Sequence, residues 1–160
     1  MVAAARIAHF NAARLKHPPG DPRVAEFVDN TLKVNQVAER SQGFVWRLAD
    51  DSALVALDGY QGIGGDPNIA YSMSIWETLQ DFEQFVYKTV HGIFFRKRGA
   101  WFEPWSGPNY VLWDHDDPGP IPTSEGWRRL KMLADHGPSG EAYDLAYAHA
   151  ARKQAQTPKA

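Results

Sequence analysis

The sequence predicts an α+β fold of the ferredoxin-like kind, β-α-β-β-α-β, carrying an extra C-terminal helix. Four runs of β-favouring residues predict it, together with two long stretches of apolar residues at helical spacing that fall between them. A third observation is the proline- and glycine-rich punctuation that sets a further helical stretch apart at the C-terminal end.

The first strand is expected over 5–13, where Ile7, His9, Asn11 and Ala13 alternate with Ala8, Phe10 and Ala12. His17-Pro18-Pro19-Gly20 breaks the chain. Asp21 then offers an N-cap acceptor, and Pro22 stands at the first helical position. Val24, Phe27, Val28, Thr31, Val34 and Ala38 recur at helical spacing to about Ser41, with Gly43 as the stop. A second strand is expected over 44–48, with Phe44, Trp46 and Leu48 on one face and Val45 and Arg47 on the other. Residues 51–68, rich in glycine, form a loop longer than usual.

Strand character resumes over 69–76, where Ser72, Ser74 and Trp76 oppose Tyr71, Met73 and Ile75. A long helix is expected over 77–105 with Thr78 as N-cap, burying Phe82, Phe85, Val86, Thr89, Ile93, Phe94, Lys97 and Trp101. The fourth strand, 109–114, sets Val111 and Trp113 against Tyr110 and Leu112. Pro122-Thr123 starts another helix that ends at Gly137-Pro138. Residues 1–140 thus make one domain, and 141–160 a short helical or disordered tail with an alanine-rich stretch over 141–151 and a frayed end from Lys153. Both helices of the repeat lie on one face of the sheet. The other face is expected to be open and apolar, so a second copy should cover it: a homodimer.

Composition narrows the function classes. Apolar residues are 44% and charged residues 22% of the chain, enough to build a core. Seventeen basic against nineteen acidic residues leave a net charge of −2, without the basic surplus of a nucleic-acid binder. There is no cysteine, which excludes disulfides, thiolate metal sites and a cysteine nucleophile. No apolar run reaches the ~20 residues that cross a bilayer, so no membrane partner is expected. Arg6 and His9 interrupt the N-terminal residues where a signal peptide would be apolar, and a cytoplasmic protein is expected. Six tryptophans point to a bulky core or to an aromatic-lined pocket for a small aromatic or apolar molecule.

Motifs supply few constraints. Gly62-Ile63-Gly64-Gly65 fits neither a dinucleotide fingerprint nor a P-loop. Asp114-His115-Asp116-Asp117 reads as an exposed acidic turn, not a metal cluster, because alternate strand residues diverge. The informative segment is the second helix. There His91 lies one turn from Tyr87 and from Phe95, and Arg98 follows on the same side. Gly92 sits beside that histidine at a cost of about 1 kcal/mol against alanine. Two readings stay open: an imidazole with a guanidinium facing a pocket, or a hydrogen-bonded core histidine beside a packing glycine. His9, Asn11, Trp46, Arg47, Trp76, Tyr87, Phe95 and Trp113 complete the candidate walls around His91 and Arg98.

Phe44-Val45-Trp46-Arg47-Leu48, Met73-Ser74-Ile75-Trp76-Glu77, Phe85-Val86-Tyr87-Lys88 with His91, Arg98-Gly99-Ala100-Trp101-Phe102-Glu103, Leu112-Trp113 and Ile121-Pro122-Thr123 occur in that order. On these motifs the chain, from about Ala5 to Pro138, resembles a bacterial domain-of-unknown-function family (serial 3291). That family resembles the dimeric α/β-barrel superfamily, which includes antibiotic-biosynthesis monooxygenases, polyketide cyclases and haem proteins. The resemblance implies a ferredoxin-like protomer whose sheets pair across a dimer, with a pocket between sheet and helices.

It leaves three activities in view. One is a cofactor-independent oxygenase or cyclase on an aromatic or polyketide-like substrate, with His91 as base and Arg98 or Arg47 holding the oxyanion. The second is a haem protein with His91 as proximal ligand. The third is a ligand-binding dimer without turnover.

Overall fold

The computed structural model describes residues 5–18, 20–48, 68–90 and 97–156. The expected glycine-rich segment 59–65, and with it His91, Gly92 and Phe95, lies outside the described residues.

Strand β1 (Ile7–Arg14) leads through a 3-10 turn (Pro22–Val24) into helix α1 (Ala25–Glu39). Asp21 caps that turn by accepting from the Arg23 amide at 2.8 Å. Strands β2 (Phe44–Arg47) and β3 (Ile69–Trp76) follow, then α2 (Leu79–Phe85), whose N-cap Thr78 accepts from the Asp81 amide at 3.0 Å. Strand β4 (Tyr110–Asp114) completes an antiparallel sheet ordered β2-β3-β1-β4. This is the ferredoxin-like topology, and its class is α+β.

The long helix expected over 77–105 is not continuous. After α2 the backbone widens into a π segment, Val86–Val90. A separate four-residue helix, α3 (Arg98–Trp101), precedes β4. It stops because the chain turns extended at Phe102 and pairs with the end of β1. Lys16 donates to the Trp101 carbonyl, and Glu103 to that of Arg14, both at 2.8 Å. Lys97, expected in the buried stripe, is exposed and paired with Glu26 on α1 at 2.7 Å.

The strand faces follow alternation with one exception. A bulge between Phe44 and Trp46 sets two β2 residues against Ile75, so Val45 and Trp46 both turn to the face opposite Phe44. The expected grouping of Phe44 with Trp46 is therefore corrected.

The sheet face expected to be open is closed. Helix α4 (Thr123–His136) packs across Ala8, Phe10, Ile75, Val111 and Trp113, so that face is covered by the chain itself. The chain then wraps the outer edge of β4. Tyr143 exchanges two backbone hydrogen bonds with Leu112, at 2.8 and 2.9 Å, and helix α5 (Leu145–Gln156) joins α1 and α2 on the first face. Ala142, Tyr143 and Ala148 are buried, and the helix continues past Lys153 to Gln156, where a frayed end was expected.

Gly43 holds the turn into β2 at φ +81°, and a Cβ there would lie 2.1 Å from the buried Asp81 carboxylate. Gly43→Ala is expected to destabilise the fold by about 1–3 kcal/mol, through positive-φ strain together with overpacking. Urea denaturation checks it: an unchanged midpoint would refute the close approach.

Candidate small-molecule site

The face of the sheet beneath α1, α2 and α5 would be apolar throughout if it served packing alone. Its outer parts are: Ile7, Trp76 and Leu112 pack with Leu79, Phe82 and Ala38. Its centre is polar. Cross-strand register aligns Arg47, Ser74, His9 and Leu112 in one row, and Ser72, Asn11 and Tyr110 in the next. These positions follow from period two: His9 and Asn11 share a face of β1, as do Ser72 and Ser74 on β3.

His9 is the centre of the group. Its ring lies 4.7 Å from Phe82 and 6.2 Å from Tyr110, centroid to centroid. Neither ring nitrogen is hydrogen-bonded to a described residue. Burial lowers its pKa from 6.5 to about 4, so the imidazole is neutral at physiological pH. Beside it, Asn11 Oδ1 accepts from the Ser72 hydroxyl, which leaves the amide hydrogens directed elsewhere. Ser74 Oγ accepts from the Trp76 indole at 3.0 Å. Tyr110 accepts from the Leu145 amide at 3.0 Å, so the first residue of α5 fixes this wall, and burial pushes its phenol pKa up.

A neutral imidazole can accept a proton from a weakly acidic hydroxyl, and a carboxamide can donate to the oxygen left behind. Phe82 and Tyr110 flank the imidazole, and Trp76 is buried on the same face. The arrangement suits a planar molecule carrying hydroxyl or carbonyl oxygens.

Trp76 is fully buried on the same face as His9, stacked on Phe85 at 4.9 Å. Trp46 and Trp113 pack with the cluster on the opposite face, under α4, so the three tryptophans do not converge. Arg47 reaches the helix side but is engaged, with Nη2 2.6 Å from Glu39 on α1 and Nη1 donating to the Leu48 carbonyl at 2.9 Å. Tyr87 is 54% exposed on the π segment. Arg98 is exposed on α3, whose Trp101 packs with Leu15, Val24 and Phe27, a cluster apart from His9. His91 and Phe95 lie outside the described residues.

Sequence reasoning passed over Ser72 and Tyr110, which flank Asn11 in the register; the signal for Ser72 was its alternation along β3. A groove of about 470 Å³ on α5, lined by His149, Ala150, Arg152 and Lys153, contains none of the expected residues.

Among the described residues no group of three or more His, Asp or Glu could hold a metal ion, and no helix is long and apolar enough to cross a membrane.

The family model described as Domain of unknown function (DUF3291) matches residues 6–159. No curated protein matches the chain. Among solved structures the chain is similar to SnoaB, a cofactor-independent oxygenase from Streptomyces nogalater. Identity there is 14% and the TM-score 0.47, covering 71% of this chain and 96% of that one. It is also similar to NE2512, a protein of unknown function from Nitrosomonas europaea, at 12% identity and a TM-score of 0.49, covering 76% and 98%.

Proposed function

This chain belongs to the DUF3291 family, and we propose that it binds a flat aromatic or polyketide-like molecule against the His9 row and acts on it as a cofactor-independent oxygenase or cyclase. One observation carries the reading: a neutral imidazole without a described hydrogen-bond partner stands beside a carboxamide, in the middle of a layer otherwise built to pack. Structural polar groups in such a layer pair with one another, as Ser74 and Trp76 do.

With a phenol bound, His9 takes the hydroxyl proton and the Asn11 amide donates to the phenolate oxygen. The negative charge beside the ring raises the imidazole's affinity for that proton, offsetting the effect of burial. In the oxygenase form the electron-rich ring then reduces dioxygen, the co-substrate. One phenol and one O₂ give one quinone and one water: the ring loses its hydroxyl and ring hydrogens and gains one oxygen. In the cyclase form the same base and donor generate and hold an enolate. The anion-holding role expected of Arg98 or Arg47 passes to Asn11, since Arg47 is already engaged by Glu39.

The second copy expected from the sequence would have to approach from a surface other than the central sheet face, which α4 occupies. This reading needs one chain only.

A panel of hydroxylated polycyclic aromatics tests it, with tryptophan fluorescence reporting binding and an oxygen electrode reporting turnover. His9→Leu is expected to weaken binding at least ~10-fold and to lower uptake by about 10²-fold or more, the usual contribution of a general base. Unchanged binding and uptake in that variant overturn the reading. His91→Ala is the second arm: loss of uptake there with His9→Leu intact returns the base to His91. A Soret shift on haem addition that disappears in His91→Ala moves the chain to the haem class.

A further inference from the structure

We propose that α4 does within one chain what a second copy does across an open sheet, so that the protein is a monomer and the His9 row is a single-chain site. The inference rests on the opposite face of the sheet from that row and stands independently of the chemistry proposed above.

The face is large and made mostly of aliphatic and aromatic side chains. Ala8, Phe10 and Ala12 from β1, Tyr71, Met73 and Ile75 from β3, and Val111 and Trp113 from β4 all point to it. A ferredoxin-like sheet with helices on one side only leaves such a surface in water, where it demands a cover. In this chain Phe10, Ile75, Val111 and Trp113 are each 0% exposed without any second copy.

The cover is built for the purpose. Gly126 lies at the contact, where a Cβ would come within 2.3 Å of the Phe10 ring, so the helix backbone sits directly on that side chain. One residue on, Trp127 packs edge-to-face on Phe10 at 4.9 Å and on Tyr71 at 5.7 Å. Arg129 stacks its guanidinium over Trp113 at 5.6 Å and is held by Glu125 at 2.7 Å and by the Glu141 carbonyl at 2.5 Å. Both ends of the helix are anchored: Ile121 is buried before it, and Ala142 after it returns to the same cluster.

A stable dimer interface removes roughly 800 Å² of accessible surface from each partner. The β1, β3 and β4 residues of this face have almost none left to give. A second copy could dock here only after α4 had left and exposed two tryptophans, a phenylalanine and the aliphatic residues around them.

Sedimentation equilibrium of the full chain over a hundred-fold range of concentration is the test. One species at the chain mass of 17.9 kDa is expected throughout, and a species of twice that mass overturns the proposal. Hydrogen exchange on the same sample reads the cover directly. The α4 amides from Leu130 to Leu133 should exchange as slowly as those of β1, whereas exchange on the timescale of an open segment overturns it. Trp127→Ala, which loosens α4 without blocking its seat, should gain both hydrophobic-dye binding and concentration-dependent association. A variant that gains neither would show that α4 is not what keeps the face closed, and the proposal would fall.

Discussion

Replacing Phe10 by alanine is expected to lower the unfolding free energy by about 3–5 kcal/mol, in the range of phenylalanine truncations in tightly packed cores. The size follows from where the ring sits. Phe10 is fully buried on the central strand β1, between Met73 on β3 and Val111 on β4. Trp127 closes over it from α4, and Tyr71 lies 5.9 Å away. The sheet cannot collapse into the vacated space, because three strands fix it by backbone hydrogen bonds.

Only α4 could move in, and this makes a second, sharper expectation. Gly126→Ala alone should cost up to about 2 kcal/mol: overpacking against the ring is worth roughly 1–3 kcal/mol, offset in part by about 1 kcal/mol of improved helix propensity. In the Phe10→Ala background the added methyl enters the cavity, and the same substitution becomes neutral or stabilising. Urea denaturation of the four proteins gives the coupling, which should exceed about 1 kcal/mol. Additive effects would mean that Gly126 and Phe10 do not meet as described.

Much of this architecture was legible from periodicity. Strand β3 runs over Ile69–Trp76 as expected, because β-branched and aromatic residues alternate there with serines between firm boundaries. Alternation also put His9 and Asn11 on one face, which survives in the structure as the centre of the candidate site. Three features escaped, each for a physical reason. The bulge at Val45–Trp46 reverses side-chain parity, and a parity change leaves no trace in composition, so Trp46 was set on the wrong face. The departure from α-helix after Phe85 involves no proline or glycine. The extended turn after Trp101 is imposed by backbone pairing with β1, which is a tertiary effect. Helix α4 is legible as a helix between its proline and glycine stops, but its seat on the sheet is not. Its glycine at position 126, the one residue that reveals how closely it approaches the sheet, acquires meaning only beside Phe10.

Acid should destabilise the protein through His9 by up to about 3 kcal/mol, and the loss should fall between pH 6.5 and about 4. Burial favours the neutral ring, lowering the pKa from 6.5 in the unfolded chain to about 4 in the fold. Above pH 6.5 both states hold a neutral imidazole and the contribution is fully present. As the pH falls below 6.5 the unfolded chain binds a proton that the folded protein refuses, and stability declines until the folded ring also protonates near pH 4. Each unit of the gap is worth about 1.36 kcal/mol, which sets the total.

Carboxylates held low by arginine contribute with a different window. Glu125, hydrogen-bonded by Arg128 and Arg129, titrates near 2 in the fold against 4.5, so its stabilisation disappears only as the pH falls below about 4.5. Comparing wild type with His9→Leu isolates the imidazole: the variant should be flatter by about 3 kcal/mol between pH 7 and 4, and parallel curves would show that the ring is not held neutral. The same measurement bears on the site. An aromatic phenolate bound against the ring would raise the folded pKa, so saturating ligand should shrink the acid slope of the wild type and leave that of His9→Leu unchanged.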